Sequence, residues 1–233
     1  MDDAAAECSL AVPTTFATNT EDSYAQLKRY MVATAKELLQ RIDWANCTLD
    51  GTITGDGGSV YDLETDFYRL TRSDDPASPA VWSDGMRRGF TPVTSNGEWT
   101  VLLSYGPTPT YAYRIVGSQI EFAQDIAVGD TVTYSYLTTG WINSSGSRAP
   151  TWTNDADFTY LPAKLLELGT TWRWMRKRGL EFQSYQGEFE IELARRSNDD
   201  RMIRKIGFGP KAHQSKSPYA NLPVPTLGPD PNV

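Results

Sequence analysis

The pattern of apolar and polar positions changes character three times along the chain. In "TEDSYAQLKRYMVATAKELLQRIDW" apolar or small side chains recur at Tyr24, Leu27, Met31, Ala35, Leu38 and Ile42. Steps of three and four trace one face of a helix. Asn19 or Thr20 suits the N-cap, and Glu21 and Asp22 sit near the positive end of the dipole. Ahead of it, "AAAECSL" predicts a short helix stopped by Pro13.

From 47 to 142 the period becomes two. "CTLDGTIT", "SVYDL", "DFYRLT", "EWTVLLSY", "TYAYRIVG", "SQIEFAQ" and "DTVTYSYLTTGWI" are short, rich in Val, Ile, Thr, Tyr and Trp, and separated by Gly, Asp, Asn and Pro. They predict strands, with Val132, Tyr134 and Tyr136 alternating against Thr131, Thr133 and Ser135. "VGSQI" reads as a tight hairpin through Gly117, and "GDGG" (55–58) as a hairpin turn between "GTIT" and "SVYDL". "SDDPASP" is a loop, and the polar residues 143–158 predict an exposed connection.

Helical spacing then returns. "LPAKLLELGTTWRWMRKRG" has Pro162 near its start and Gly179 as its stop. Leu161, Leu165, Leu168, Trp172 and Met175 form its apolar stripe. Trp174 lies ~200° round from Trp172 at ~100° per residue, beside Arg173 and Arg178, with Arg176 and Lys177 on the flanks. The spacing therefore puts Trp174 off the core, in a basic face with the composition of a protein–protein anchor. A further helix places Phe182, Tyr185, Phe189 and Leu193 on one stripe. The last stretch holds six of the 14 prolines, which excludes regular helix and central strand. Its apolar residues Ile206, Phe208, Tyr219, Leu222, Val224 and Leu227 would serve as anchors on a partner, with plain disorder the equal alternative.

The expected fold is α+β. An antiparallel helical bundle, from an N-terminal helical part (1–46) and a C-terminal helix pair (143–200), carries an inserted antiparallel β-rich domain (47–142). An extended Pro-rich tail (201–233) follows.

Charge narrows the function. The net charge is −7, from 22 basic and 29 acidic residues, whereas a stand-alone DNA-binding domain is usually basic. Cys8 and Cys47 sit in no CxxC pattern, so neither a disulfide framework nor a zinc site is signalled, and both read as small buried apolar residues in a reducing compartment. No stretch approaches the ~18 apolar residues of a membrane span, and the acidic N-terminus lacks the basic region of a secretory signal. The expectation is a soluble protein made in the cytoplasm.

Catalytic signals are absent. The single histidine, His213, lies in the Pro-rich tail, away from any rigid scaffold. Asp2–Asp3, Asp74–Asp75, Asp155/Asp157 and Asp199–Asp200 lack calcium-loop spacing and read as solvated charge. "GDGG" lacks the Lys-Ser/Thr and the helix of a phosphate loop. No enzyme, cofactor or metal is expected.

Three segments in order resemble one family. "YAQLKRYMVATAKELLQRIDW", "YSYLTTGWI" and "LPAKLLELGTTWRWMRKRGLEFQSYQGEFEIELARR" are similar to the N-terminal helix, the sheet end and the C-terminal helix pair of head–tail connector (adaptor, or neck) proteins of tailed bacteriophages and gene-transfer particles. The resemblance covers residues ~20–200; the β insertion and the tail match less clearly. It implies a structural virion protein, assembled in the host bacterial cytoplasm, that forms a ring, commonly of twelve copies, beneath the portal. The implied partners are the portal protein, a downstream tail or neck protein, and further copies of the chain. DNA would pass through without sequence-specific binding, and an acidic lumen would repel it. The candidate subunit or portal interface is Arg173, Trp174, Arg176, Lys177 and Arg178, with Ile206, Phe208, Tyr219, Leu222, Val224 and Leu227 of the tail. The alternatives are a DNA-contacting module using the same basic helix, another tail or neck component, and a carbohydrate-active tail protein.

Overall fold

The computed structural model describes residues 15–72, 79–104 and 111–204, with Ala5, Glu7, Cys8 and Leu10 ahead of them; for 199–204 only the helical backbone is described. The short helix expected in "AAAECSL" and the tail beyond 204 therefore fall largely or wholly outside the described residues.

Helix α1 (Asp22–Arg41) follows the spacing: Tyr24, Leu27, Met31, Ala35 and Leu38 are buried, and Ile42 lies just past the end. Its N-cap is Glu21, without a side-chain cap. Asn19 instead accepts the Glu21 N–H at 2.9 Å and shapes the entry. After a 3-10 turn at Ala45–Cys47 come β1 (Thr48–Thr54), β2 (Val60–Asp62), β3 (Phe67–Leu70), β4 (Val81–Ser83), β5 (Arg88–Gly89), β6 (Thr91–Pro92), helix α2 (Asn96–Ser104), β7 (Ala112–Val116), β8 (Gln119–Phe122) and β9 (Thr131–Thr138).

β9 is the spine of the first sheet. β1 pairs along one edge; β3 and β4 share the other, and β5 lies beyond β4. Its burial alternates as the sequence predicts, with Val132, Tyr134 and Tyr136 buried. The second sheet runs β2-β8-β7-β6 and is antiparallel except for the short parallel β6–β7 pair. The β7–β8 hairpin turns at Gly117, whose φ of 64° suits glycine.

Three expectations fail here. "EWTVLLSY" is mostly helix, not strand. The stretch "SNGE" before it is a helix-start signature, and the Ser95 hydroxyl accepts the Glu98 N–H at 3.4 Å. Trp99 and Leu102, three apart, then pack on Val93 and Ala112. "GDGG" is not a hairpin, because β1 pairs with β9 and β2 with β8, so the turn passes the chain between two sheets. Finally, residues 143–158 are not a bare connection. They belong to a third sheet of β10 (Ile142–Ser144), β11 (Ser147–Ala149) and β12 (Phe158–Thr159). Its hairpin turns at Ser145 and Gly146, both at positive φ.

Nor are Asp155 and Asp157 merely solvated. Asp155 accepts the N–H groups of Phe16 and Ala17 at 2.8 and 2.6 Å. Asp157 accepts those of Thr153 and Asn154. Slight burial would raise the Asp157 pKa, but these donors outweigh it and hold the carboxyl below its ordinary value.

Helices α3 (Ala163–Lys177) and α4 (Gln183–Arg204) complete the fold. α3 packs against both α1 and α4, and Arg41 on α1 grips Glu190 on α4 through both carboxylate oxygens at 2.7 and 2.6 Å. The main apolar cluster joins Met31, Leu38, Trp44, Leu137, Trp141, Ile142, Leu165, Phe189 and Leu193. Residue 142 is therefore no boundary in packing: the end of β9 and the start of β10 are built into the helical core. A second cluster, from Ile53 to Tyr136, lies among the strands.

Gly169 marks a close contact between helices. A β-carbon there would overlap Thr34 Cγ2 on α1 and press on Phe189 of α4. Gly169→Ala is therefore expected to destabilise by about 1–3 kcal/mol through overpacking, even though alanine favours an isolated helix by about 1 kcal/mol. Urea unfolding checks the sign.

Candidate functional site

The C-terminal half of α3 carries the basic and aromatic residues singled out by sequence. Its end is defined by backbone geometry. Leu180 N–H reaches Met175 C=O at 3.0 Å, Gly179 N–H reaches Arg176 C=O at 3.2 Å, and Gly179 takes φ of 70°. This left-handed cap stops the helix. It leaves Arg176, Lys177 and Arg178 exposed at the negative end of the helix dipole.

Trp174 is not on that surface. It is 1% exposed, packed with Cys8 and Leu27 and edge-on to Tyr30 at 6.5 Å. The Arg178 guanidinium covers its ring at 4.2 Å. Arg173 is also turned inward. It donates to Thr34 Oγ1 at 2.9 Å and Gly169 C=O at 2.7 Å, and it pairs with Glu37 of α1. Both expectations of an outward position fail for one reason. α3 is covered by α1 on one side and α4 on another, so its buried arc is wider than a single stripe and includes Leu166, Gly169, Thr170 and Thr171. Trp172, expected in the core, is half-buried against the main cluster. The run of small residues "GTT" was the available signal for a close double contact; an apolar-only periodicity passes over it.

Of the α3 candidates, Arg176, Lys177 and Arg178 thus remain at the surface. Ile206, Phe208, Tyr219, Leu222, Val224 and Leu227 lie outside the described residues, as does His213. Removing the internal pair should be felt in stability: Arg173→Ala is expected to cost about 1.5–3 kcal/mol, as for other hydrogen bonds to charged groups. A double-mutant cycle with Glu37→Gln checks the coupling.

Cys8 and Cys47 are buried and form no disulfide. Burial pushes the Cys8 thiol up to about 11, so it stays protonated and weakly nucleophilic near neutrality. Native protein is expected to react slowly with a disulfide dye at pH 8 and rapidly after unfolding. The raised value also means that the unfolded chain loses this proton first. Stability from this group is therefore present at neutral pH and lost as pH rises above about 9.

A groove of about 360 Å³ opens beside β7, between Leu70, Pro92, Tyr113 and Val116. Its one charged lining residue, Arg114, is already bound to Glu121 at 2.5 Å. It assembles no pair of groups for acid–base or nucleophilic chemistry. Among the described residues no three His, Cys, Asp or Glu side chains gather as a metal site, and no helix is long and apolar enough to cross a membrane.

Comparison with protein-family models and with curated protein sequences finds no match.

Charge is unevenly shared. Residues 47–142 contain twelve acidic and five basic side chains, while 201–216 contain five basic and none acidic. The strand-rich block is thus net acidic, whereas α3 and the C-terminal segment are net basic.

Proposed function

We propose that the chain is a structural subunit of a head–tail adaptor, a ring beneath the portal that joins a capsid to its tail and extends the DNA channel. One observation carries the reading. The three segments that resemble the adaptor family, far apart in sequence, build one core: Met31, Leu38 and Trp44 from the first, Leu137, Trp141 and Ile142 from the second, and Leu165, Phe189 and Leu193 from the third. In this reading α1, α3 and α4 are the antiparallel bundle of such a subunit, and the strand-rich block is its insertion.

Ring subunits share surface through heterologous, closing contacts. Val101 and Leu103 on α2, Phe158 on β12 and Leu180 after α3 are large exposed apolar side chains that such contacts would cover. The acidic strand-rich block, repeated around a ring, would let DNA slide past rather than hold it. The DNA-contacting alternative loses its stacking platform, because Trp174 is inside the protein. Arg176, Lys177 and Arg178 then serve a subunit or the portal, and a downstream neck or tail protein would meet the opposite end of the ring.

Mixing the purified chain with a phage portal protein tests the reading. Co-elution as a complex, with no retention of the free chain on DNA at physiological salt, is expected. A chain that ignores the portal and binds DNA salt-dependently would replace the adaptor by the DNA-binding alternative.

A further inference from the structure

The first sheet has an open edge. β1 pairs with β9 on one side, and no described strand lies on the other. The register fixes which groups face outward. Gly55 N–H donates to Asp130 C=O across the β1–β9 ladder, and Leu49, Gly51 and Ile53 stand opposite Tyr136, Tyr134 and Val132. On the far side of β9, Ser135 N–H bonds Ala80 C=O. By strand parity the odd residues of β1 face β9, so the N–H and C=O groups of Asp50, Thr52 and Thr54 point to the open edge. All three residues are exposed. A seven-residue strand with one bare edge is a template for a further strand.

The C-terminal sequence contains a segment suited to one edge only. In "YANLPVPTL" (219–227) the two prolines occupy alternate positions, 223 and 225. In a strand, alternate residues direct their N–H to opposite sides. Leu222, Val224 and Thr226 keep donors on one side, while Pro223 and Pro225 remove donors from the other. Such a segment can pair with a sheet but cannot itself be paired further, so it closes an edge rather than extending it. The preceding residues 201–216 are basic, opposite in sign to the strand-rich block.

We propose that residues 220–226 of one copy add as a strand to the open edge of β1 on a second copy, Leu222, Val224 and Thr226 meeting the outward groups of Asp50, Thr52 and Thr54. A neighbour is the recipient because α4 leaves its own core early. Among the described side chains of α4, Leu193 is the last that is buried, and none from Ala194 to Asn198 is. Arg204 therefore lies roughly 16 Å beyond that contact at 1.5 Å per residue. The stretch from 205 to 220 adds up to roughly 50 Å at ~3.3 Å per residue. The exchange would staple each subunit to the next with backbone hydrogen bonds. It rests on the self-association in the adaptor reading but requires no portal.

The test uses full-length chains. One population carries Thr52→Cys and another Val224→Cys; the native cysteines are buried. After mixing, a short bis-maleimide is expected to link the two populations at least ten-fold more than a control pair of Ser145→Cys, in an exposed turn, with Val224→Cys. A second variant, Thr52→Pro, removes only an outward N–H and leaves the ladder to β9 intact. It is expected to weaken self-association at least ten-fold with an unchanged melting temperature. Equal linking in both mixtures, or unaltered self-association of Thr52→Pro, would each overturn the proposal. Cross-linking without portal binding would support strand exchange and count against the adaptor.

Discussion

Truncating Trp174 to alanine is expected to destabilise the protein by about 3–5 kcal/mol, the usual cost of emptying a buried tryptophan site. Its ring is closed off by Leu27, Tyr30 and Cys8 and roofed by Arg178. Truncation would open a cavity between α1 and α3 that the rigid helices cannot fill. It would also uncover the Cys8 thiol, so dye reactivity in the native state should rise together with the loss of stability. An outward-facing Trp174 would give the opposite pattern: normal unfolding in urea and weakened association. Paired with Trp174→Ala, the surface change Lys177→Ala is expected to leave the urea midpoint within the small range typical of exposed sites.

Trp141→Ala is expected to cost a similar ~3–5 kcal/mol, by a different route. Trp141 is 2% exposed, stands edge-on to Trp152 at 5.9 Å, and donates its indole N–H to Pro150 C=O at 2.9 Å. Trp152 in turn packs onto the main cluster and approaches the Met31 sulfur on α1. The pair fastens the third sheet to the helices. Losing Trp141 removes area, an edge-to-face contact and a satisfied carbonyl at once, leaving Pro150 C=O to water. Trp141→Phe keeps most of the area and loses the donor, so it is expected to recover more than half of the loss. Fluorescence-detected urea unfolding of the two variants separates packing from the hydrogen bond.

The sequence was legible where a single face carries the burial. α1 and the inner residues of β9 follow their periods because each buries one side. It misled where burial is two-sided or where local signals competed. α3 lies against two helices, so Trp174 and Arg173, which periodicity turned outward, are drawn inward by α1. In "SNGEWTVLL" the β-forming letters outweighed a capping signal that the fold obeys. Residues 143–158 looked polar because their hydroxyls and carboxylates bind one another and the backbone of a small sheet, while Trp152 packs on the main apolar cluster. The pairing of β1 with β9 rather than β2 depends on contacts about eighty residues apart, which local pattern does not encode. The candidate site was half legible. The exposed Arg176, Lys177 and Arg178 were found from sequence, but their separation from Trp174 needed the third dimension.

Native mass spectrometry of the full-length chain, alone and mixed with a phage portal protein, is the most direct measurement. The expected result is a portal complex carrying a closed ring of about twelve copies of this chain, with Thr52→Pro giving incomplete rings. A chain that stays monomeric and portal-free across micromolar concentrations would contradict the adaptor account.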